Sequence, residues 1–212
     1  MNYIENIFIC LSAPLLIASL CTRGRGRRVM IFLLSGMAIC LLSSYISSFF
    51  AVLLGMDNIE ASVQISPITE EIMKLFPVLF YILIFEPESS DLSDCIMINA
   101  IGFATFENVC YLINNGAGNL LYLAIRGFST GAMHVVCAGI VSLGILRLWK
   151  ENLLKIAGTI ALLVVAITYH GTYNIIVSQD GFVAIAGFLI PILTAVLIIL
   201  FGKRLGITSV DQ

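Results

Sequence analysis

The chain has 212 residues, of which 59% are hydrophobic and only 11% are charged. A soluble domain carries roughly a quarter charged residues, so this composition excludes a soluble protein and predicts an integral membrane protein. The net charge of −2 at pH 7 argues against nucleic acid and against any strongly charged partner.

Hydropathy predicts an all-α, polytopic bundle of about seven transmembrane helices, forming one integral membrane domain over residues 1–212. Each span needs about 20 apolar residues. The first span is not expected to be a cleavable signal peptide, because it has no basic n-region and no A-x-A site. The predicted spans are 3–21, 29–54, 67–85, 93–114, 119–148, 152–177 and 181–201.

Basic residues predict how the bundle is oriented, because short cytoplasmic loops are enriched in Lys and Arg. Nine of the eleven basic residues lie in or next to the connections that follow spans one, five and seven: Arg23, Arg25, Arg27, Arg28, Arg147, Lys150, Lys155, Lys203 and Arg204. The loops 55–66, 115–118 and 178–180 hold none. We therefore expect a cell-membrane protein with its N-terminus outside and its C-terminus inside.

The third span carries two adjacent carboxylates, Glu70 and Glu71, within apolar sequence. Ionised groups at membrane depth are costly, so a chain keeps them mainly where they are paired or functional. Ser66 is expected to cap the helix and Pro67 to be its first residue, which puts both carboxylates near the positive end of the helix dipole. Lys74 lies one turn further on and can pair with either carboxylate.

Three later spans carry polar residues at a similar predicted depth. They are Glu107 and Asn108 on the fourth span, Arg126 and His134 on the fifth, and His170 and Asn174 on the sixth. Each of these groups taken singly is explained by an ion pair, a helix–helix hydrogen bond or a packed core histidine. Because neighbouring spans run in opposite directions, most of these side chains are expected in the outer-leaflet layer. The combination predicts an active site facing the extracytoplasmic side.

The order of these motifs resembles that of the PrsW family of polytopic membrane proteases, which is related to CAAX prenyl endopeptidases and bacteriocin-processing membrane proteases. The motifs are Glu70-Glu71-x-x-Lys74, Phe103-x-x-x-Glu107-Asn108, His134 and His170-x-x-x-Asn174. The likeness covers roughly residues 65–178. It implies an intramembrane endopeptidase that cleaves a membrane-anchored protein or peptide, such as the first cut in an anti-sigma factor. In the CAAX branch the second motif carries a histidine where this chain has Glu107-Asn108.

Peptide hydrolysis needs a base for the water, donors for the oxyanion and an acid for the leaving amine. We expect Glu70 or Glu71 to be the general base, with the other orienting it or pairing with Lys74. By the resemblance, His134 helps to bind the water, and His170 and Asn174 donate to the oxyanion. The supporting residues are Lys74, Phe103, Glu107, Asn108 and Arg126. A glutamate-type protease of this kind needs no cofactor.

Two alternatives stay open from the sequence. His134, His170 and Glu71 form a possible zinc ligand set, although the chain has no H-E-x-x-H helix. A proton- or ion-coupled transporter also uses buried carboxylates and histidines, but no inverted repeat is evident here.

Overall fold

The computed structural model describes residues 3–116, 118–148 and 152–201, and within these ranges it contains eight α-helices and no strand. This confirms the predicted all-α bundle. The helices are α1 (Ile4–Cys21), α2 (Gly24–Leu54), α3 (Asn58–Gln64), α4 (Ser66–Phe85), α5 (Ser89–Asn115), α6 (Leu120–Leu148), α7 (Asn152–Val177) and α8 (Phe182–Phe201).

Six of these helices, α1, α2, α5, α6, α7 and α8, are long and apolar enough to cross a membrane. The other predicted span corresponds to α4. This helix has 20 residues, about 30 Å at 1.5 Å per residue, which matches the thickness of a bilayer's hydrocarbon core. It carries Glu70, Glu71 and Lys74, and these charges distinguish it from the six apolar helices.

Helix α4 runs through the whole bundle. Arg25 and Arg28, near the start of α2, pair with Asp94 and Asp91, near the start of α5, at 2.7 and 2.5 Å. The α1–α2 and α4–α5 connections therefore lie at the same end of the bundle, called here the arginine end. Since α4 starts at the opposite end, its full length must cross between the two. The predicted N-out orientation also depends on Lys150, Lys203 and Arg204, which lie outside the described residues.

The segment 55–66, predicted to be a loop, contains the short helix α3. Its first turn is held by a capping box, in which the Asp57 side chain accepts from the N–H groups of Ile59 and Glu60. The predicted Ser66 N-cap is wrong, because α3 leads into α4 through Ile65, whose backbone is already helical. The N–H of Thr69 therefore donates to the carbonyl of Ile65 at 3.0 Å.

Helices α2 and α5 are in backbone contact. A Cβ atom on Gly36 would lie 2.0 Å from the Asn99 carbonyl oxygen, and one on Gly102 would lie 2.3 Å from that of Leu33. Both positions therefore require glycine. The close contact fixes the depth of α5, and with it the depth of Glu107 further along that helix.

Helix α6 lies at the centre of the bundle, in contact with α5, α7 and α8. In its apolar window, 67% of the residues are buried. Met133, Cys137, Val141 and Ile145 recur every fourth residue along one buried face. His134, beside this face, is also fully buried. The polar site is therefore set into the core of the bundle.

Candidate active site

A cavity of about 360 Å³ lies at the end of the bundle opposite the arginine end. Helices α3 to α8 all contribute to its wall. Five of the predicted site residues line it: Glu70, Glu107, Arg126, His170 and Asn174. Glu71, Lys74 and His134 are buried behind this wall. The structure thus brings the four predicted motifs together around one cavity.

The two adjacent carboxylates have different surroundings. Glu71 is only 3% exposed, and its Oε1 accepts from Lys74 Nζ at 2.6 Å and from His170 Nδ1 at 2.8 Å. Glu70 points into the cavity, where its buried Oε2 has no hydrogen-bond partner among the described residues. The difference arises because successive helix residues do not share a face.

His170, on α7, connects these two carboxylates. Its Nδ1 contacts Glu71, and its Nε2 lies 3.8 Å from Glu70 Oε2. Because the carboxylate of Glu71 can only accept, Nδ1 carries a proton. This hydrogen bond orients the imidazole so that Nε2 faces the cavity and Glu70.

His134, on α6, lies between a cation and a carboxylate. Its Nδ1 is 2.9 Å from Lys74 Nζ, and its Nε2 is 2.5 Å from Glu107 Oε2. An ammonium group has no lone pair, so Nδ1 accepts from Lys74 and Nε2 donates to Glu107. Phe103 packs against the imidazole, with ring centroids 5.0 Å apart. Both nitrogens of His134 are therefore engaged.

Arg126 holds the second carboxylate oxygen of Glu107. Its guanidinium donates to Glu107 Oε1 at 3.3 Å and to Asn108 Oδ1 at 2.7 Å, and lies 3.6 Å from the centroid of the Tyr111 ring. Asn108 Nδ2 in turn donates to the carbonyl of Gly127 at 3.3 Å. The second motif thus forms one hydrogen-bonded unit with α6.

Asn174 joins α7 to α3. Its Nδ2 donates to the carbonyl of Ser62 at 2.8 Å, and the side chain also lines the cavity. An amide group has two N–H donors, so the second remains for a group bound in the cavity. His170 and Asn174, one turn apart, both line the cavity, as their spacing predicts.

Tyr173 and Ser62 are among the cavity-lining residues that the sequence did not single out as site residues. The hydroxyl of Tyr173 lies 3.1 Å from that of Thr130. Tyr173 is three residues after His170, so helical spacing alone would have found it. Ser62 holds Asn174 through its backbone carbonyl, a group that every residue has, so the residue type could not have indicated this contact.

Glu70, His134 and His170 also form a possible metal site. Each offers one ligand atom, and these atoms lie within 4.8 Å of one another. Glu70, rather than the predicted Glu71, completes this group. Its unpartnered oxygen suits a cation, and a carboxylate on the other nitrogen of a histidine, as Glu71 is on His170, is typical of metal-ligating histidines. The residues fit a divalent ion, provided that His134 gives up the hydrogen bond in which its lone pair accepts from Lys74.

Comparison with known families agrees with the motifs. The chain matches the model of the PrsW family intramembrane metalloproteases over residues 25–201. Comparisons with curated proteins and with solved structures gave no match. The family match favours the protease over the transporter, and the relationship to CAAX prenyl endopeptidases stays a prediction. The chain thus belongs to the PrsW family of intramembrane proteases and is a multi-pass membrane peptidase.

Proposed function

We propose that this peptidase is an endopeptidase that cleaves membrane-anchored protein substrates in the cavity, with Glu70 as the general base. The observation that carries the proposal is the position of Glu70, whose unpartnered oxygen lies in the cavity 3.8 Å from His170 Nε2. A base must be within reach of the water that it deprotonates and must not be occupied by another donor. Glu71, which already accepts two hydrogen bonds, is less suited to this role.

In the attack step, Glu70 takes a proton from a water molecule while the water oxygen bonds to the substrate carbonyl carbon. The π electrons of that carbonyl move to its oxygen, which becomes the oxyanion. Protonated Glu70 then returns the proton to the leaving nitrogen as the C–N bond breaks. The products are a carboxyl group and an amine, so the proton count balances without another acid or base.

The oxyanion accepts one hydrogen bond from His170 Nε2 and one from the second N–H of Asn174. This role requires His170 as the imidazolium, which donates from both nitrogens. Glu71 on one side and Glu70 on the other balance that positive charge. Donors held in place for the developing charge are worth about 2.7–4 kcal/mol each.

The remaining polar residues position this machinery. Lys74 neutralises Glu71 and holds His134, and His134 in turn holds Glu107. Arg126 fixes the other oxygen of Glu107 at the cavity wall. In this proposal, these side chains hold Glu70, His170 and the attacking water in position.

A metal-assisted version of the same hydrolysis is the second candidate, supported by the family's description as metalloproteases and by the Glu70–His134–His170 group. These three residues would hold the ion. A bound divalent ion such as zinc supplies an acidified water and polarises the substrate carbonyl. The metal-free version is supported by His134, because both of its ring nitrogens already take part in hydrogen bonds, to Lys74 and to Glu107.

We further propose that the protein lies in the cell membrane with the cavity towards the extracytoplasmic side. The exposed Arg23, Arg25 and Arg27 at the opposite end support this orientation. A substrate class consistent with it is a single-span protein cut outside the membrane, such as an anti-sigma factor at its first cleavage.

The test is cleavage of a single-span substrate library, including membrane-anchored anti-sigma factors, by the purified full-length chain in lipid nanodiscs. We expect cleavage close to the extracytoplasmic membrane surface that is lost in Glu70→Gln. Equal cleavage by Glu70→Gln would overturn the assignment of the base. Absence of cleavage across the library, with the protein folded, would count against the proposed substrate class.

A further inference from the structure

A second cavity, of about 570 Å³, lies at the arginine end between α2 and α4. Its walls are mostly apolar: Ile31, Phe32, Pro77, Phe80, Tyr81 and Phe85. This cavity, called here the α2–α4 groove, is as large as typical small-molecule sites, which measure roughly 300–1,000 Å³. It shares no lining residue with the active-site cavity.

Contacts at both ends of the helices keep the α2–α4 groove in place. Near the active-site cavity, the hydroxyls of Ser47 on α2 and Thr69 on α4 lie 2.5 Å apart. At the arginine end, the rings of Phe32 and Tyr81 meet edge to face, with centroids 5.2 Å apart. Phe80 and Phe85 remain 61% and 63% exposed, so the apolar wall of the groove continues onto the lipid-facing surface.

Arg27 and Arg28 line the α2–α4 groove, and they differ in whether a carboxylate neutralises the guanidinium charge. Arg28 donates to both oxygens of Asp91 at 2.5 Å, which neutralises it. Arg27 is exposed and has no ion-pair partner within the described ranges. Glu86, in the connection after α4, does not line the groove. The charge of Arg27, which no carboxylate in the described ranges neutralises, therefore lies beside the apolar α2–α4 groove at the membrane surface.

A phospholipid offers the matching chemistry, with a phosphate at the membrane surface and acyl chains below it. Basic pockets between transmembrane helices bind anionic headgroups in this way. A zwitterionic lipid is a poorer match, because its ammonium group opposes the charge of Arg27. The geometry points to a binding site for one anionic phospholipid, with its phosphate on Arg27 and one acyl chain in the α2–α4 groove.

The test is lipid retention by the purified full-length protein, measured by native mass spectrometry with dioleoyl phosphatidylglycerol or dioleoyl phosphatidylcholine. One surface arginine contributes about fivefold to binding of an anionic lipid. We expect phosphatidylglycerol to bind about fivefold more tightly, and Arg27→Gln to remove that preference. The matched control is Arg23→Gln, an exposed arginine at the same end that does not line the groove.

A second pair of variants tests the acyl-chain position. Ser35 lines the groove, so Ser35→Leu should weaken retention of both lipids, whereas Ala38→Leu, on the exposed surface of the same helix, should not. Equal retention of the two lipids by the unmodified protein, or equal losses in Arg27→Gln and Arg23→Gln, would overturn the proposal. So would equal effects of the two leucine variants. None of these measurements depends on peptidase activity.

Discussion

His170 Nδ1 on α7 donates to Glu71 Oε1 on α4 across 2.8 Å, and the same oxygen accepts from Lys74. This contact joins residues that are 99 positions apart in the chain. It turns Glu71 into the group that orients the histidine, and it leaves Glu70 for the cavity. The two carboxylates are therefore expected to respond differently to the same substitution.

Glu70→Gln should abolish cleavage while leaving the melting temperature in detergent unchanged or raised. The change removes the proposed base, and it also removes a buried carboxylate whose Oε2 has no hydrogen-bond partner among the described residues. The measurements are substrate cleavage and a thermal melt. Glu88→Gln, on the exposed surface before α5, serves as the control and should behave like the unmodified protein. Normal turnover by Glu70→Gln would refute its role.

Glu71→Gln should instead destabilise the fold, by about 3–5 kcal/mol, because it leaves the buried ammonium of Lys74 without its counter-charge. Chemical denaturation in detergent measures this loss. Adding Lys74→Met to the variant removes the uncompensated charge, so the double variant should regain most of the stability and remain inactive. If Glu71→Gln is as stable as the unmodified protein, the ion pair does not have the assigned role.

Asn174→Ala should lower turnover by about 10²–10³-fold, the usual effect of losing one oxyanion donor, with little change in KM and no response to added zinc. His170→Ala should be at least as severe. Because Asn174 also tethers α3, a control must loosen α3 alone. Asp57→Ala removes the cap of α3, at about 1 kcal/mol, without touching the cavity. Matching losses of turnover in Asn174→Ala and Asp57→Ala would assign Asn174 to tethering only.

Treatment with a strong chelator should leave cleavage by the unmodified protein intact if Glu70 acts as the base without a metal. Elemental analysis of the active enzyme checks the same point. The metal-assisted version gives the opposite result: about one ion per chain, lost with activity and restored with it. In that case Glu70→Gln and His170→Ala should both lose the ion, because both residues belong to the candidate ligand group.

Asn58→Cys, on exposed α3, should be labelled by an impermeant maleimide added from outside intact cells, and Arg23→Cys should not. The experiment starts from a variant without the six native cysteines. The expected pattern follows from the arginines at the end opposite the cavity. The reverse labelling pattern would place the cavity on the cytoplasmic side.

Hydrophobic run length and the order of motifs were enough to predict the helical bundle, the family and the meeting of Glu70, Glu107, His170 and Asn174 at one cavity. These features depend on local composition and on the alternating direction of spans. The capping box at Asp57 was also present in the sequence, but it lies in a polar segment that hydropathy assigns to a loop.

The different environments of Glu70 and Glu71 could not be predicted in the same way. Which carboxylate meets the cavity depends on how α4 is rotated against α6 and α7, and adjacent residues give the same hydropathy signal. The pairing of Arg28 with Asp91 is similar, since it joins residues 63 positions apart. Such relationships depend on tertiary packing rather than on periodicity.

The charges of α4 also have a consequence for how the protein is made. On the scale measured for insertion by the translocon, each charged residue at the centre of a helix costs about 2.5–3.5 kcal/mol. In the folded chain, Glu71 and Lys74 are compensated by each other and by His134 and His170, both of which are synthesised later. Helix α4 therefore gains its full stability in the bilayer only once α6 and α7 have emerged. Assembly of the candidate active site is thus a late event in biogenesis.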